Sequence, residues 1–289
     1  MVTAAATVCM PPPRLAAPDQ AGQDRPSLTQ PPPKDKPMIA PDFPETGWQL
    51  APTGAPLTRF QVFGERSTGT NFVKRLIGRN TALAPTESFG WKHGFPQMTV
   101  LPEDLLVVCT FRHAADWARS MHARPWHCPP EMQALPFSDF LRAEWRSIAD
   151  RPRYFPQLAA EGGEGQPLQQ DRHPLSGRPF ANLFALRRAK QEALLGFLHR
   201  GASVLLCRLE SVQAAPESFL HDLRHGLALP AAAYRPVTRR LGTRFRPAVT
   251  PRPATPPALA PEDLAFLTGQ LDLGTEAALG YRYAASSCP

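Results

Sequence analysis

The residues best placed to do chemistry are Gly64-Glu65-Arg66-Ser67-Thr68-Gly69-Thr70-Asn71. They stand between an apolar run, Phe60 to Phe63, and a helix-like run, Phe72 to Ile77. A strand, a Gly-rich turn and a helix N-terminus in that order present several backbone N–H groups to one anion. The two-glycine spacing is that of a phosphate-binding loop. Thr70 and Asn71 stand where a nucleoside triphosphatase carries its phosphate lysine and its magnesium hydroxyl. The loop therefore suits a phosphate-like group held without that metal. Gly-rich strand-to-helix turns also occur in α/β folds without any ligand, so a second site is needed to read this one.

That second site follows Leu105-Leu-Val-Val-Cys109, an unbroken apolar run of the kind a buried parallel strand requires. Arg112 falls at the C-terminal end of this strand, the edge where ligands of open α/β sheets collect. Ser120 lies eight residues on, inside an expected helix. A guanidinium and a hydroxyl so presented can share one phosphate. Taken singly they also read as a solvated arginine and an ordinary helix serine.

Together these segments resemble the sulfotransferases that use 3′-phosphoadenosine 5′-phosphosulfate (PAPS). The resemblance spans about residues 59–230. It implies that Gly64, Arg66, Ser67, Thr68, Gly69, Thr70 and Asn71 cradle the 5′-phosphosulfate. It implies that Arg112 and Ser120 hold the 3′-phosphate, with Asp116 at a position often acidic in that family. Trp91-Lys-His-Gly-Phe-Pro96 is similar to the family's basic strand, which makes His93 the expected general base and Lys92 a second catalytic candidate. Val204 to Glu210, then a helix ending near Pro230, is similar to its late strand, acidic turn and helix. The expected co-substrate is PAPS, without a metal, and the expected acceptor is a small molecule or a carbohydrate offering a hydroxyl or amine.

The pattern also departs from the family. Arg66 is the nearest candidate for the loop cation that reaches the donor's bridging oxygen, with Ser67 as the alternative at that point. Lys92 and His93 are adjacent, so on a regular strand they point to opposite faces. Arg239-Arg240-Leu-Gly242 is a weak stand-in for the late Arg-Lys-Gly motif. Two other functions stay open. A small-molecule kinase would share the loop and sheet, but it predicts a lysine at 70, a Ser or Thr at 71 and a strand-end aspartate, all absent. A non-catalytic relative would keep the fold and bind an anion or a partner.

Alternating strand and helix runs imply a central parallel sheet flanked by helices, a three-layer α/β fold, and the resemblance implies that it is P-loop-like. Strands are expected at 59–63, 88–93, 105–110 and 204–209, and helices at 69–79, 115–123, 137–149, 181–199, 216–227 and 261–270. Leu183, Leu186, Leu194, Phe197 and Leu198 can share the buried side of the clearest amphipathic helix. Irregular stretches at 124–131 and 150–179 are expected to border the site's mouth, since long loops often serve as lids or binding loops. A Pro-rich stretch at about 243–261 is expected to wrap the surface.

Composition sets outer bounds. The 289 residues suffice for one α/β core. Many of the 35 prolines fall in residues 1–56, which have no helical or strand period; we expect that segment to be disordered or extended, ahead of a domain at 57–289. A net charge of +7 suits an anionic ligand. Zinc-finger spacing, RNA-binding aromatic motifs and compact basic runs are missing, so nucleic acid is not the expected partner. No run approaches the ~20 apolar residues of a membrane helix. The five cysteines have no metal-ligand spacing, with Cys109 and Cys207 inside expected strands, and a reduced cytoplasmic setting is expected.

Overall fold

Three apolar runs pair side by side in the computed structural model and point the same way. Strand β2 (Arg59–Gly64) is parallel to β4 (Leu105–Phe111), and β4 is parallel to β5 (Ser203–Arg208). The register sets Gly64 beside Thr110 and Thr110 beside Cys207. The loops that follow these strands therefore emerge at one edge of the sheet. Every residue of β4 is buried, as a central strand covered on both faces must be. Two short strands complete the sheet. β1 (Trp48–Ala51) pairs antiparallel with β5, and β3 (Ala84–Pro85) is parallel to β2, giving the order β1-β5-β4-β2-β3. The structure describes residues 39–155, 158–238 and 244–283. All lie within one compact unit.

Strand alternation sorts the core into two faces. Phe60, Val62, Leu106, Val108, Leu205 and Cys207 pack with helices α2 (Thr70–Asn80) and α9 (Pro216–Gly226). Phe63, Leu105, Val107, Cys109, Val204 and Leu206 pack with the end of α7 (Leu183–Leu195), a 3-10 turn at Gly196–His199 and Leu279, which follows α11 (Leu273–Ala278). A further cluster joins α3 (Ala114–Ala123), α5 (Phe137–Arg142), α7 and α10 (Pro261–Gln270) through Trp117, Met121, Phe140, Phe184 and Leu267. The remaining helices are single short turns: α1 (Phe43–Thr46), α4 (Pro130–Gln133), α6 (Leu158–Glu161) and α8 (Leu209–Ala214). Among the described residues no helix is long and apolar enough to cross a membrane.

Four expectations are corrected. The expectation of a disordered or extended segment over residues 1–56 fails for residues 39–56. Phe43 of α1 is fully buried and β1 is a sheet strand, because Trp48 and Leu50 pack on the face that holds α9; residues 1–38 lie outside the described residues. The sheet is not wholly parallel, since β1 runs antiparallel. The helix expected at 137–149 stops at Arg142. Finally, 88–93 is not a strand. Gly90 takes φ +97°, which breaks extended pairing. The segment is instead tied to β2 by the Gln61 side chain, which accepts from Phe89 N–H and donates to the Gly90 carbonyl.

The Pro-rich stretch at 244–260 does pack along the surface. Arg252 donates to the carbonyls of His122, Ala123 and Gln133, satisfying the otherwise open end of α3.

Candidate functional site

At the C-terminal edge of the parallel strands lies a cavity of about 550 Å³, within the size range of small-ligand sites. Arg66, Ser67, Gly69, Thr70, Asn71, Lys92, His93, Arg112 and Ser120 all line it. Sequence reasoning placed these residues together from segments as far apart as the loop after β2 and the middle of α3. Their gathering follows from the register of β2 on β4.

The loop's conformation explains what it offers. The carbonyls of Glu65, Arg66, Ser67 and Gly69 are occupied by protein donors. Trp117 Nε1 donates to the Arg66 carbonyl at 2.8 Å, Arg112 Nη1 to Ser67 at 3.0 Å, and the Thr68 hydroxyl to Glu65 at 2.7 Å. Gly69 O receives the N–H groups of Phe72 and Val73. The opposite holds for the amides. Among the described residues nothing accepts from the N–H groups of Ser67, Gly69, Thr70 and Asn71. No side chain caps α2. Ser67 and Gly69 both have positive φ (68° and 86°), the geometry that turns successive amides toward one side. A concave group of free N–H donors at a helix N-terminus attracts an anion.

Two predicted ligands, Gly64 and Thr68, do not line the cavity. A Cβ on Gly64 would sit 2.2 Å from Thr110 Oγ1, so this glycine serves the packing of β2 against β4. Thr68 is fully buried, and its hydroxyl also meets Thr110 Oγ1 at 2.9 Å. It shapes the loop from beneath. Asp116 likewise does not line the cavity, and pairs with Arg119 at 3.1 Å.

Lys92 and His93 reach the cavity together. Their expected opposition on a strand does not apply, because no strand is there. Lys92 Nζ donates to Asn71 Oδ1 at 2.8 Å, and burial lowers its pKa. His93 Nδ1 lies 2.7 Å from the Gly64 carbonyl. A carbonyl only accepts, so Nδ1 carries the proton and the neutral ring leaves Nε2 unprotonated. Burial and the nearby Lys92 charge push the His93 pKa well below the usual imidazole value.

Arg66 is held differently from the expectation of a free catalytic cation. Its guanidinium pairs with buried Asp171 and donates to the Trp126 carbonyl at 3.2 Å. Lys190 pairs with the same Asp171 and with the His93 carbonyl. Burial would raise the Asp171 pKa, but Arg66 and Lys190 hold it well below the carboxylate range. A second buried cluster underlies the loop. Arg187 pairs with Glu65 (3.1 Å) and Glu276 (2.9 Å), and donates to the Arg112 carbonyl at 2.8 Å. Burial pushes Glu65 up to about 7 against the opposing pull of Arg187. Asp171, Arg187, Lys190 and Glu276 were not singled out from sequence.

Arg112 and Ser120 line one part of the cavity with Arg124, which follows Ser120 by one helical turn and donates its N–H to the Ser120 carbonyl. The α3 N-terminus beneath them is closed by Glu210, whose Oε1 accepts from His113 N–H at 2.9 Å. The 124–131 and 150–179 stretches border the cavity as expected, contributing Trp126, His127 and Tyr154. Trp91 packs edge-on against both His93 (5.4 Å) and His127 (5.6 Å). His127 Nδ1 lies 2.7 Å from Asp150 Oδ1. Arg239, Arg240 and Gly242 lie outside the described residues.

Cys109 and Cys207 are buried in their strands, where burial raises both thiols. Among the described residues no group of three or more His, Cys, Asp or Glu gathers to hold a metal ion. Comparison with protein-family models, with curated proteins and with solved structures found no match to this chain.

Proposed function

We propose that this protein is a P-loop-like sulfotransferase that moves a sulfuryl group from PAPS to a hydroxyl or amine of a small molecule or carbohydrate. The observation that carries the reading is one cavity holding both a loop of unpaired amides and the Arg112–Ser120 pair. A single monophosphate needs only one such site. A nucleotide phosphorylated at both 3′ and 5′ positions needs two.

In this reading the amides of Ser67, Gly69, Thr70 and Asn71 receive the 5′-phosphate end of the donor. Arg112 and Ser120 receive the 3′-phosphate. As the sulfur–oxygen bond breaks, negative charge grows on the 5′-phosphate. Donors already aimed there act mostly in the transition state, and one such donor contributes about 3 kcal/mol. Lys92, held at the α2 N-terminus by Asn71, supplies a cation for the bridging oxygen. Arg66, committed to Asp171, fixes the loop and adds its field. His93 offers Nε2 to the acceptor as a hydrogen-bond acceptor.

Incubation with PAPS and a panel of alcohols, phenols, sugars and amines tests this, with release of adenosine 3′,5′-bisphosphate as the readout. The reading predicts release in the presence of EDTA. Transfer that requires ATP and magnesium instead would replace it with the kinase reading.

A further inference from the structure

We propose that His127, backed by Asp150, is the general base that takes the acceptor's proton. The proposal rests on the sulfuryl-transfer reading and adds the proton's destination. His127 Nδ1 lies 2.7 Å from Asp150 Oδ1. An ionised carboxylate only accepts, so Nδ1 is the donor and Nε2 keeps its lone pair. His127 lines the cavity, and among the described residues its Nε2 has no hydrogen-bond partner. That nitrogen is also not among the sealed polar atoms without partners.

The ring is fixed on several sides. Trp91, Tyr154 and Phe155 pack against it with centroids at 5.6, 6.0 and 5.6 Å. Its carbonyl accepts from Ile148 N–H at 2.7 Å, so the segment that carries Asp150 also holds the His127 backbone. The residue sits at φ +64°, a left-handed conformation uncommon outside glycine and one that recurs at functional sites. Arg66 binds the carbonyl of Trp126, which places the imidazole next to the phosphate-binding loop.

Of the two imidazoles, His127 is the better placed to carry a positive charge. A base must become a cation during the reaction. His93 spends Nδ1 on a neutral carbonyl, and the charges that act most strongly on it, Lys92, Arg66 and Lys190, are positive. They disfavour an imidazolium there. The charged groups around His127 are Asp150, Asp171 and Arg66, with Arg151 paired to Asp150 at 3.3 Å. Burial lowers the His127 pKa, so the ring is neutral and ready, while the Asp150 carboxylate stabilises the imidazolium once formed.

The acceptor oxygen forms a bond to sulfur as its proton passes to His127 Nε2. The bond from sulfur to the bridging oxygen breaks, and its electron pair stays on the 5′-phosphate of the departing bisphosphate. His127 leaves the step as an imidazolium paired with Asp150.

The test measures single-turnover consumption of PAPS, with water as the universal acceptor, in the wild type and in His127→Gln, Asp150→Asn and His93→Gln. Bisphosphate affinity and melting temperature are measured on each protein. The expected result is a loss of about 10²–10⁴-fold in His127→Gln with affinity retained. Asp150→Asn should lose comparably, because an amide can donate to Nδ1 and drive the proton to Nε2. A smaller loss is expected in His93→Gln. Added imidazole should restore part of the activity of a His127→Gly protein. A His127→Gln protein that consumes PAPS at the wild-type rate overturns the proposal. If that variant does not fold, wild-type consumption by Asp150→Asn overturns it instead. A large loss confined to His93→Gln removes only the base assignment. A wild type that binds no bisphosphate or consumes no PAPS removes the sulfuryl-transfer reading and this proposal together.

Discussion

His93 Nδ1 meets the Gly64 carbonyl at 2.7 Å, and Gly64 in turn donates its N–H to the carbonyl of Lys92, the residue before His93, at 3.0 Å. The last residue of β2 thus fixes both basic residues of a segment that has no strand of its own. The same glycine has no room for a side chain, with Thr110 Oγ1, Thr68 Oγ1 and the Thr110 carbonyl at 2.2, 2.7 and 2.9 Å from an added Cβ. Gly64→Ala should therefore destabilise the protein by about 1–3 kcal/mol, the usual cost of overpacking, and weaken bisphosphate binding as the loop shifts. Urea unfolding and calorimetry check this. A variant of wild-type stability would mean that the contact relaxes freely.

Arg112 and Ser120 should be separable. Ser120→Ala removes only the proposed 3′-phosphate contact, so affinity for adenosine 3′,5′-bisphosphate falls about tenfold while adenosine 5′-phosphate is unaffected. Arg112→Ala also frees the Ser67 carbonyl, which Arg112 Nη1 holds at 3.0 Å. It should weaken both nucleotides, and the bisphosphate by about ten- to a hundredfold more. Equal losses for the two nucleotides in Ser120→Ala would contradict the 3′-phosphate assignment.

Asp171 is the carboxylate that pairs directly with two buried cations, Arg66 and Lys190. Asp171→Asn removes the ion-pair partner of both, with Glu65 the remaining carboxylate that acts on them. Breaking a buried pair this way costs about 3–5 kcal/mol, so chemical denaturation should show a loss of that size. A loss under about 1 kcal/mol, the range of exposed pairs, would show that the cluster is solvated in solution.

The depressed pKa of His93 makes a signed prediction. Below its unfolded value of 6.5 the unfolded chain binds a proton that the folded site refuses. The unfolded state then holds more protons, so this contribution to stability falls as pH drops through the window below 6.5 and is recovered above it. His93→Gln lacks the contribution. Its stability relative to wild type should rise as the pH is lowered from about 7 to about 5. Parallel stability curves would show that His93 titrates normally.

Much of this site was legible because its elements are strongly patterned. β4 is an unbroken apolar run, and the β2-loop-α2 unit has glycines where positive φ or close packing demands them. The eight-residue interval from Arg112 to Ser120 does bring both to the cavity. β1 was missed because Trp48-Gln-Leu-Ala is short, half-exposed and flanked by prolines. The strand expected at 88–93 followed the resemblance of Trp91 to Pro96 to a family strand, whereas Gly90 turns the chain. Arg187 and Lys190 were overlooked although they share helical phase with Leu183, Leu186 and Leu194; charges on an apolar stripe were the available signal. Asp171 and Asp150 carried no such signal. Each lies in an irregular stretch and acts on a residue distant in sequence.

Calorimetric titration with adenosine 3′,5′-bisphosphate, in EDTA and then in magnesium, bears most directly on the account. The two proposed phosphate sites on one cavity predict a single tight site that needs no magnesium, with adenosine 5′-phosphate binding about ten- to a hundredfold more weakly. Equal affinity for the two nucleotides, or binding of ATP with magnesium in preference to the bisphosphate, would contradict it.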